Sequence, residues 1–312
     1  MITTSQKQQI TEALNQYMEL HGLSGNEIVK RSGVNESYIS SIKNGETTVG
    51  KSEIKDKWYL MIAEFIGFSL KKEYWGLKET PQLYRMLSTL EDAKENGLTN
   101  IIIGETGSGK TYISDMFLRA NPVDTFKIVV GSLDTIGDLL DKIIDALKIA
   151  TPKTKSKKIG EIAKKLKQLR LEGQKPHLIF DECEYMKQPA LCSMKELYDA
   201  LIKICGITLI GTSQLTDNLD KLRKKNRSGI PQFYRRIKFG IRELPSIDRS
   251  FSMFLNQIED KALVRFLKQN CDNYGELHDV LVPAMKEADR TEQPLTEDFV
   301  RTILGMPNLL SA

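Results

Sequence analysis

The chain is poor in the residues that build metal centres and disulfide frameworks. Its 312 residues include three histidines and four cysteines (Cys183, Cys192, Cys205 and Cys271), with no CxxC pair and no histidine at ligand spacing. That pattern argues against a zinc or disulfide scaffold and for reduced, packed thiols. No apolar run approaches the roughly 20 residues that span a bilayer, and the opening MITTSQKQQI has no signal-peptide apolar core. No membrane partner is expected, and the expected compartment is cytoplasmic. Neither an internal repeat nor a low-complexity segment is present.

What remains is the composition of a globular protein, 40% hydrophobic and 28% charged, long enough for two or three domains. The net charge of +4 is mild but unevenly spread. The stretch KTKSKKIGEIAKKLKQLR (153–170) holds one acid among its basic residues, and KLRKKNRSGIPQFYRRIK (221–238) holds none. Runs of this kind suit a solvated face or a polyanion.

Residues 1–50 carry helical periodicity in short pieces. TSQKQQITEALNQYMELHG places Ile10, Leu14, Tyr17 and Met18 on one side and stops at Gly22. SGNEIVKRSG begins at a capping Ser24, and VNESYISSIKNGE follows with Val34, Ile39 and Ile42 apolar. These proportions predict a helix-turn-helix unit, with helical text continuing through 54–72. YWGLKETPQ (74–82) marks a boundary. From Pro81 helices alternate with strands expected at 99–103, 126–131, 177–182, 207–213 and 238–244, which predicts an α/β fold with a mostly parallel sheet. Beyond Pro245 only helices are expected. The predicted domains are 1–72, 73–245 and 246–312.

The chemistry concentrates in IIIGETGSGKT (101–111). Gly104, Glu105, Thr106, Gly107, Ser108, Gly109, Lys110 and Thr111 fit G-x-x-x-x-G-K-[ST]. Glycines let backbone N–H groups turn in on phosphates, Lys110 brings a cation to the β and γ oxygens, and Thr111 offers a hydroxyl to Mg2+. ATP and Mg2+ are therefore the expected cofactors. HLIFDE (177–182) ends an apolar strand in Asp181, placed to reach the metal through water, and Glu182, placed to orient a hydrolytic water. Thr212 and Ser213, at the tip of ITLIGTS, are candidates for contact with the γ-phosphate or the attacking water. Arg235 and Arg236 in FYRRIKF, just ahead of a strand, are candidate arginine fingers for a neighbouring subunit.

In this order, GETGSGKT, LIFDE, LIGTS, YRRI and a helical tail resemble an AAA+ ATPase, and within that class the MuB family of transposition target-selection ATPases. Glu79-Thr80 ahead of the core, LIGTSQ and RRI at 235–237 are further echoes. The resemblance implies an AAA+ P-loop core, an N-terminal helix-turn-helix domain and a C-terminal lid. It also implies ATP bound between subunits, homo-oligomers assembled as filaments or rings on double-stranded DNA with little sequence preference, and a transposase as partner, with Arg236 as the finger and Arg235 second. One departure is plain: the lid helix of the family opens with glycine and then arginine, whereas YGELHDVL has His278 at that place.

Two segments are expected to meet DNA. In the N-terminal unit these are Ser37, Tyr38, Ser41 and Lys43 of the second helix of the pair. In the core they are Lys153, Lys155, Lys157 and Lys158, in a Pro- and Thr-containing loop opening a basic helix that continues through Lys164, Lys165 and Lys167. The alternatives are a helicase-loader or replication-initiator ATPase and a nucleotide-gated transcription regulator.

Overall fold

The structure, a computed structural model, describes residues 2–68 and 74–307. The end of the 54–72 stretch, the predicted boundary at 72/73 and the last residues of the tail lie outside the described residues. The chain divides into two compact units, Met1–Glu73 with Arg119–Val123, and Tyr74–Leu118 with Asp124–Ala312.

The first unit contains helices α1 (Thr4–His21), α2 (Gly25–Ser32) and α3 (Glu36–Lys43), a two-residue hairpin β1 (Thr48–Val49) and β2 (Ser52–Glu53), and α4 (Asp56–Ile66). Thr3 and Ser24 form capping boxes with Gln6 and Glu27, so each helix begins where a side-chain oxygen satisfies free N–H groups. Ile10, Leu14, Ile28, Val34, Ile39, Ile42, Tyr59 and Ile62 fill one core. The hairpin was not foreseen. TTVGKSE alternates too briefly to read as strand, and β1 and β2 carry no buried residue.

The second unit runs α5 (Pro81–Asn96), β3 (Thr99–Ile103), α6 (Lys110–Ala120), β4 (Thr125–Val129), α7 (Ile136–Leu147), α8 (Lys155–Leu171), β5 (His177–Asp181), a 3-10 turn (Cys183–Tyr185), α9 (Gln188–Leu201), β6 (Gly206–Gly211), α10 (Ser213–Lys224), α11 (Ile230–Ile237) and β7 (Ile241–Glu243). It ends in α12 (Ser252–Leu255), α13 (Lys261–Asn270), α14 (Tyr274–Thr291) and α15 (Glu297–Ile303). The sheet has order β4-β5-β6-β3-β7, and all its pairs are parallel.

Period-two alternation sorts the strand residues between two helical layers. Ile101, Ile103, Leu178, Phe180, Ile207 and Leu209 join the core built with α7 to α11, while Ile102, Ile179 and Ile210 meet α5 and α6. Central strands buried on both faces read as continuous apolar runs, and β5 and β6 are buried at every residue. The helices after β7 enclose a cluster of their own around Phe251, Leu263, Leu267, Leu277 and Leu281.

Two differences from the sequence expectation matter. The stretch after the expected strand at 207–213, assigned no element before 238, forms α10 from Ser213 to Lys224 and α11 from Ile230 to Ile237, so Arg235 and Arg236 stand on a helix. The last strand is three residues long, because the helix keeps its backbone bonds as far as Lys238 N–H to Tyr234 O.

His177, at the start of β5, is fully buried. Its Nε2 lies 2.8 Å from Thr208 Oγ1, and its Nδ1 has no hydrogen-bond partner. Burial pushes its pKa down from 6.5 to about 3, so the unfolded chain takes up a proton below pH 6.5 that the folded chain refuses. The stability present above that pH is lost as pH falls toward 3. Urea unfolding should show a loss of about 2 kcal/mol between pH 7.5 and 5, and His177→Gln should remove that part of the slope.

Candidate functional site

Parallel pairing brings the carboxyl ends of β3, β5 and β6 side by side, the place where open α/β sheets bind ligands. β3 leads straight into Gly104, whose N–H donates to Gly211 O at 3.1 Å. The glycine loop then turns back through Gly107 at φ +71° and Gly109 at φ +87°, and α6 starts at Lys110 with its positive end facing the loop. Gly107 is constrained twice, since a Cβ there would lie 2.1 Å from Asn273 Oδ1. That same Oδ1 caps α14 by accepting from Glu276 N–H at 2.9 Å, and Gly275 N–H donates to Gly107 O at 3.2 Å. The first turn of α14 therefore rests on the loop.

Lys110 donates to the carbonyls of Gly104 (3.0 Å) and Glu105 (2.7 Å). Burial holds its pKa below the ordinary lysine value, against the opposing pull of Glu184, Asp181 and Glu105. Glu105 itself accepts from Ile247 N–H at 3.1 Å and from Arg249 at 2.8 Å. Thr106 and Thr111 are exposed, and Ser108 is buried with its hydroxyl unpartnered.

The acidic strand end is arranged differently from the simple pair in the sequence. Asp181 is buried and its Oδ1 accepts from Glu182 N–H at 3.0 Å. Glu182 sits in the left-handed region at φ +59° with its side chain in solvent. The 3-10 turn carries Glu184 back over the strand end, where a Cβ on Gly211 would meet its Oε2 at 2.9 Å. That Oε2 is buried without a hydrogen-bond partner, as is Thr212 Oγ1 at the tip of β6. Glu184 was missed, although an acid three residues after Asp181 in DECE was a usable signal. Ser213 opens α10 and is exposed.

Four polar atoms without hydrogen bonds (Ser108 Oγ, Asp181 Oδ2, Glu184 Oε2 and Thr212 Oγ1) thus surround the loop. Native interiors rarely leave such groups unpaired unless a ligand or water serves them. Beside the loop a cavity of about 470 Å³ is walled by Trp75, Leu77, Phe254, Tyr274 and His278, an apolar slot beside an anion cradle. Trp75 stacks on Phe254 with ring centroids 4.7 Å apart. Among the described residues no group of three or more His, Cys, Asp or Glu could hold a metal ion. Thr111 and Asp181 fit a cation whose other ligands are phosphate oxygens and water.

Residues 94–219 match the family described as AAA domain. The core has the AAA+ P-loop fold. The ORC2 protein of Aeropyrum pernix, solved as ADPNP–ADP complexes, superposes with a TM-score of 0.52 at 15% identity, over 71% of this chain and 66% of that one. CDC6P of Pyrobaculum aerophilum gives 0.52 at 13% identity, over 74% and 67%. The chain spans about two thirds of the length of these structures. No curated protein matches the sequence.

The remaining candidate residues, His278 apart, are not brought into this site. Arg236 forks onto Asp199, Nε to Oδ1 at 2.6 Å and Nη2 to Oδ2 at 3.1 Å, whereas Arg235 is exposed. His278 lines the apolar cavity, edge-on to Trp75, with Nδ1 3.0 Å from Asp279. Lys153 precedes α8, Lys155 and Lys157 lie in its first turn, and all three are exposed. Lys158 pairs with Asp141 of α7 and is largely covered. On α3, Ser37 and Lys43 are exposed, Tyr38 stacks on Trp58 at 5.2 Å, and Ser41 donates to Glu46 at 2.8 Å. The buried thiols of Cys183, Cys205 and Cys271 are pushed up by burial, as packed cysteines should be. No helix among the described residues is long and apolar enough to cross a membrane.

The seat of α14 on the loop is testable by a double-mutant cycle. Gly107→Ala should cost about 1–3 kcal/mol through its φ and the Asn273 clash. Asn273→Ala should cost about 1 kcal/mol through the lost cap. Urea denaturation should find the pair sub-additive by about 1 kcal/mol, because the second change removes the atom that the first one strikes.

Proposed function

We propose that the chain is a Mg2+-dependent ATPase that assembles on duplex DNA in its ATP state and delivers that DNA to a transposase. The observation that carries the nucleotide part is the set of buried oxygens without hydrogen bonds, Ser108 Oγ, Glu184 Oε2 and Thr212 Oγ1, at the glycine loop and the neighbouring strand ends, with an apolar slot sized for a base beside the loop. Loop N–H groups, the start of α6 and Lys110 would hold the phosphates. Thr111 and Asp181 would hold Mg2+, which supplies charge neutralisation when bound. Glu182, at the lip, would orient the attacking water, with Thr212 and Ser213 at the terminal phosphate.

The DNA and assembly parts draw on the exposed lysines opening α8, the basic end of α10, and the motif order shared with the MuB family. A neighbouring copy would offer an arginine from α11. Arg235 is free to do so as it stands, whereas Arg236 must first leave Asp199. Ser37 and Lys43 give the N-terminal unit a polar edge for a groove or backbone. A second reading, a replication-initiator or helicase-loader ATPase, is favoured by the fold likeness to the ORC2 and CDC6P structures. Electron microscopy separates the two: long ATP-dependent filaments on arbitrary duplexes support the first, and a closed ring of few subunits supports the second.

Two measurements test the core of the proposal. Glu182→Gln should bind ATP with near-normal affinity, lose about 100-fold or more in hydrolysis, and stay assembled on DNA long after wild type has dissociated. Replacing Lys153, Lys155 and Lys157 together with Ala should weaken DNA binding on every sequence. It should also flatten the slope of log K against log salt by about two to three units. An unchanged slope would remove this face of α8 from the interface.

A further inference from the structure

β4 is an edge strand whose sequence, TFKIV, has a single charged residue, Lys127. In a sheet edge this would ordinarily point to solvent, yet the Lys127 side chain is only 7% exposed. Register explains its direction. Lys127 pairs with Ile179 and Val129 with Asp181, so Lys127 stands on the same sheet face as Asp181, two residues upstream and one strand across. That face is covered by α6, the helix that begins at the glycine loop.

Three acceptors surround the ammonium: Asp115 Oδ1 at 2.5 Å, Asp181 Oδ2 at 3.1 Å and the Thr111 carbonyl at 3.4 Å. Thr111 and Asp115 are four apart on α6 and so share one side of it. Lys127 donates to Asp115 Oδ1 and to the Thr111 carbonyl, and meets Asp181 Oδ2 as an ion pair. The Asp181 side chain is 3% exposed. Oδ1 is taken by Glu182 N–H, and this lysine is ion-paired to Oδ2 at a distance that lacks hydrogen-bond geometry, while Lys110 attracts the same carboxylate from the loop. A buried carboxylate stripped of such a partner is strongly unfavourable.

We infer that Lys127 is a positioning residue that shares the charge of Asp181 and so keeps a divalent cation from settling there before a nucleotide arrives. The inference rests on the nucleotide reading of the loop. Without Lys127, Asp115 and Asp181 would present two negative charges to a metal ion, offset from the loop by Lys110. With Lys127 in place one of those two charges is balanced locally. A cation then gains a firm hold only when phosphate oxygens bring further negative charge. Metal and nucleotide would enter as one unit, and release of phosphate would loosen the metal.

The test titrates Mn2+ into the nucleotide-free full-length chain, followed by electron paramagnetic resonance, and separately measures the Mg2+ needed for half-maximal binding of a fluorescent ATP analogue at pH 8. Wild type should bind Mn2+ weakly alone and bind the analogue only when Mg2+ is present. Lys127→Met should bind Mn2+ without nucleotide about three- to ten-fold more tightly and reach half-maximal analogue binding at correspondingly lower Mg2+. Lys127→Arg should behave as wild type in Mn2+ affinity. If Lys127→Met fails to fold, Asp115→Asn decides. It leaves the ammonium to Asp181 alone and should raise the Mg2+ requirement about two-fold or more. Unchanged metal dependence in the folded variants overturns the role of Lys127. Failure of wild type to bind the analogue at any Mg2+ overturns the nucleotide reading itself.

Discussion

The backbone pairing of β3 with β6 governs where the rest of the site stands. Ile103 lies opposite Gly211, and the Gly104 N–H continues the ladder one residue beyond the strand by bonding Gly211 O. The first residue of the glycine loop is thereby fixed to the last residue of the strand that presents Thr212. Both flanking positions have little room: a Cβ on Gly104 would approach Leu244 to 2.8 Å, and one on Gly211 would approach Glu184 to 2.9 Å. With β5 paired on the other side of β6, the two acids fall within reach of the loop. A rigid parallel sheet converts residues some 70 positions apart in the chain into one polar cluster.

That cluster is held by charge balance in a poorly solvated place. Lys110 reaches it from the loop and is attracted by Asp181 and Glu184, and Lys127 reaches it from the edge strand and is ion-paired to Asp181. Lys110 spends its protons on loop carbonyls, which a phosphate chain would relieve of that duty. Lys127 spends its own on acceptors that no ligand needs to displace. The unpartnered oxygens of Glu184 and Thr212 mark the side where a further group would be satisfied.

Much of this was legible in the sequence for identifiable reasons. The loop was visible because its geometry depends on glycine at fixed offsets: the positive φ of Gly107 and Gly109 is one that glycine adopts without the steric cost other residues carry. β5 and β6 were visible because strands buried on both faces are mostly apolar, here LIF in β5 and I, L, I in β6. α10 and α11 were not, because KLRKKNRSGIPQFYRRIK reads as a charged run and its few apolar anchors, Leu222, Ile230, Phe233 and Ile237, are split by Gly229 and Pro231. The separate fates of Arg235 and Arg236 follow from that helix. Adjacent residues on a helix point about 100° apart, so Arg236 meets Asp199 of α9 while Arg235 faces solvent.

The sequence by itself determined the parts whose chemistry is local: the glycine turn, the caps that start the helices, the alternation that makes a parallel sheet, and the lysine-rich opening of α8. Only the tertiary structure decided which carboxylate is covered and which is wet, that Glu184 returns over the strand end while Glu182 turns outward, and that a lysine from a strand distant in the chain becomes the counter-charge of Asp181. Local signals are carried by backbone dihedrals and side-chain period, which neighbours in sequence set. Burial and charge pairing depend on strand order and register, which are fixed by contacts between residues far apart in the chain.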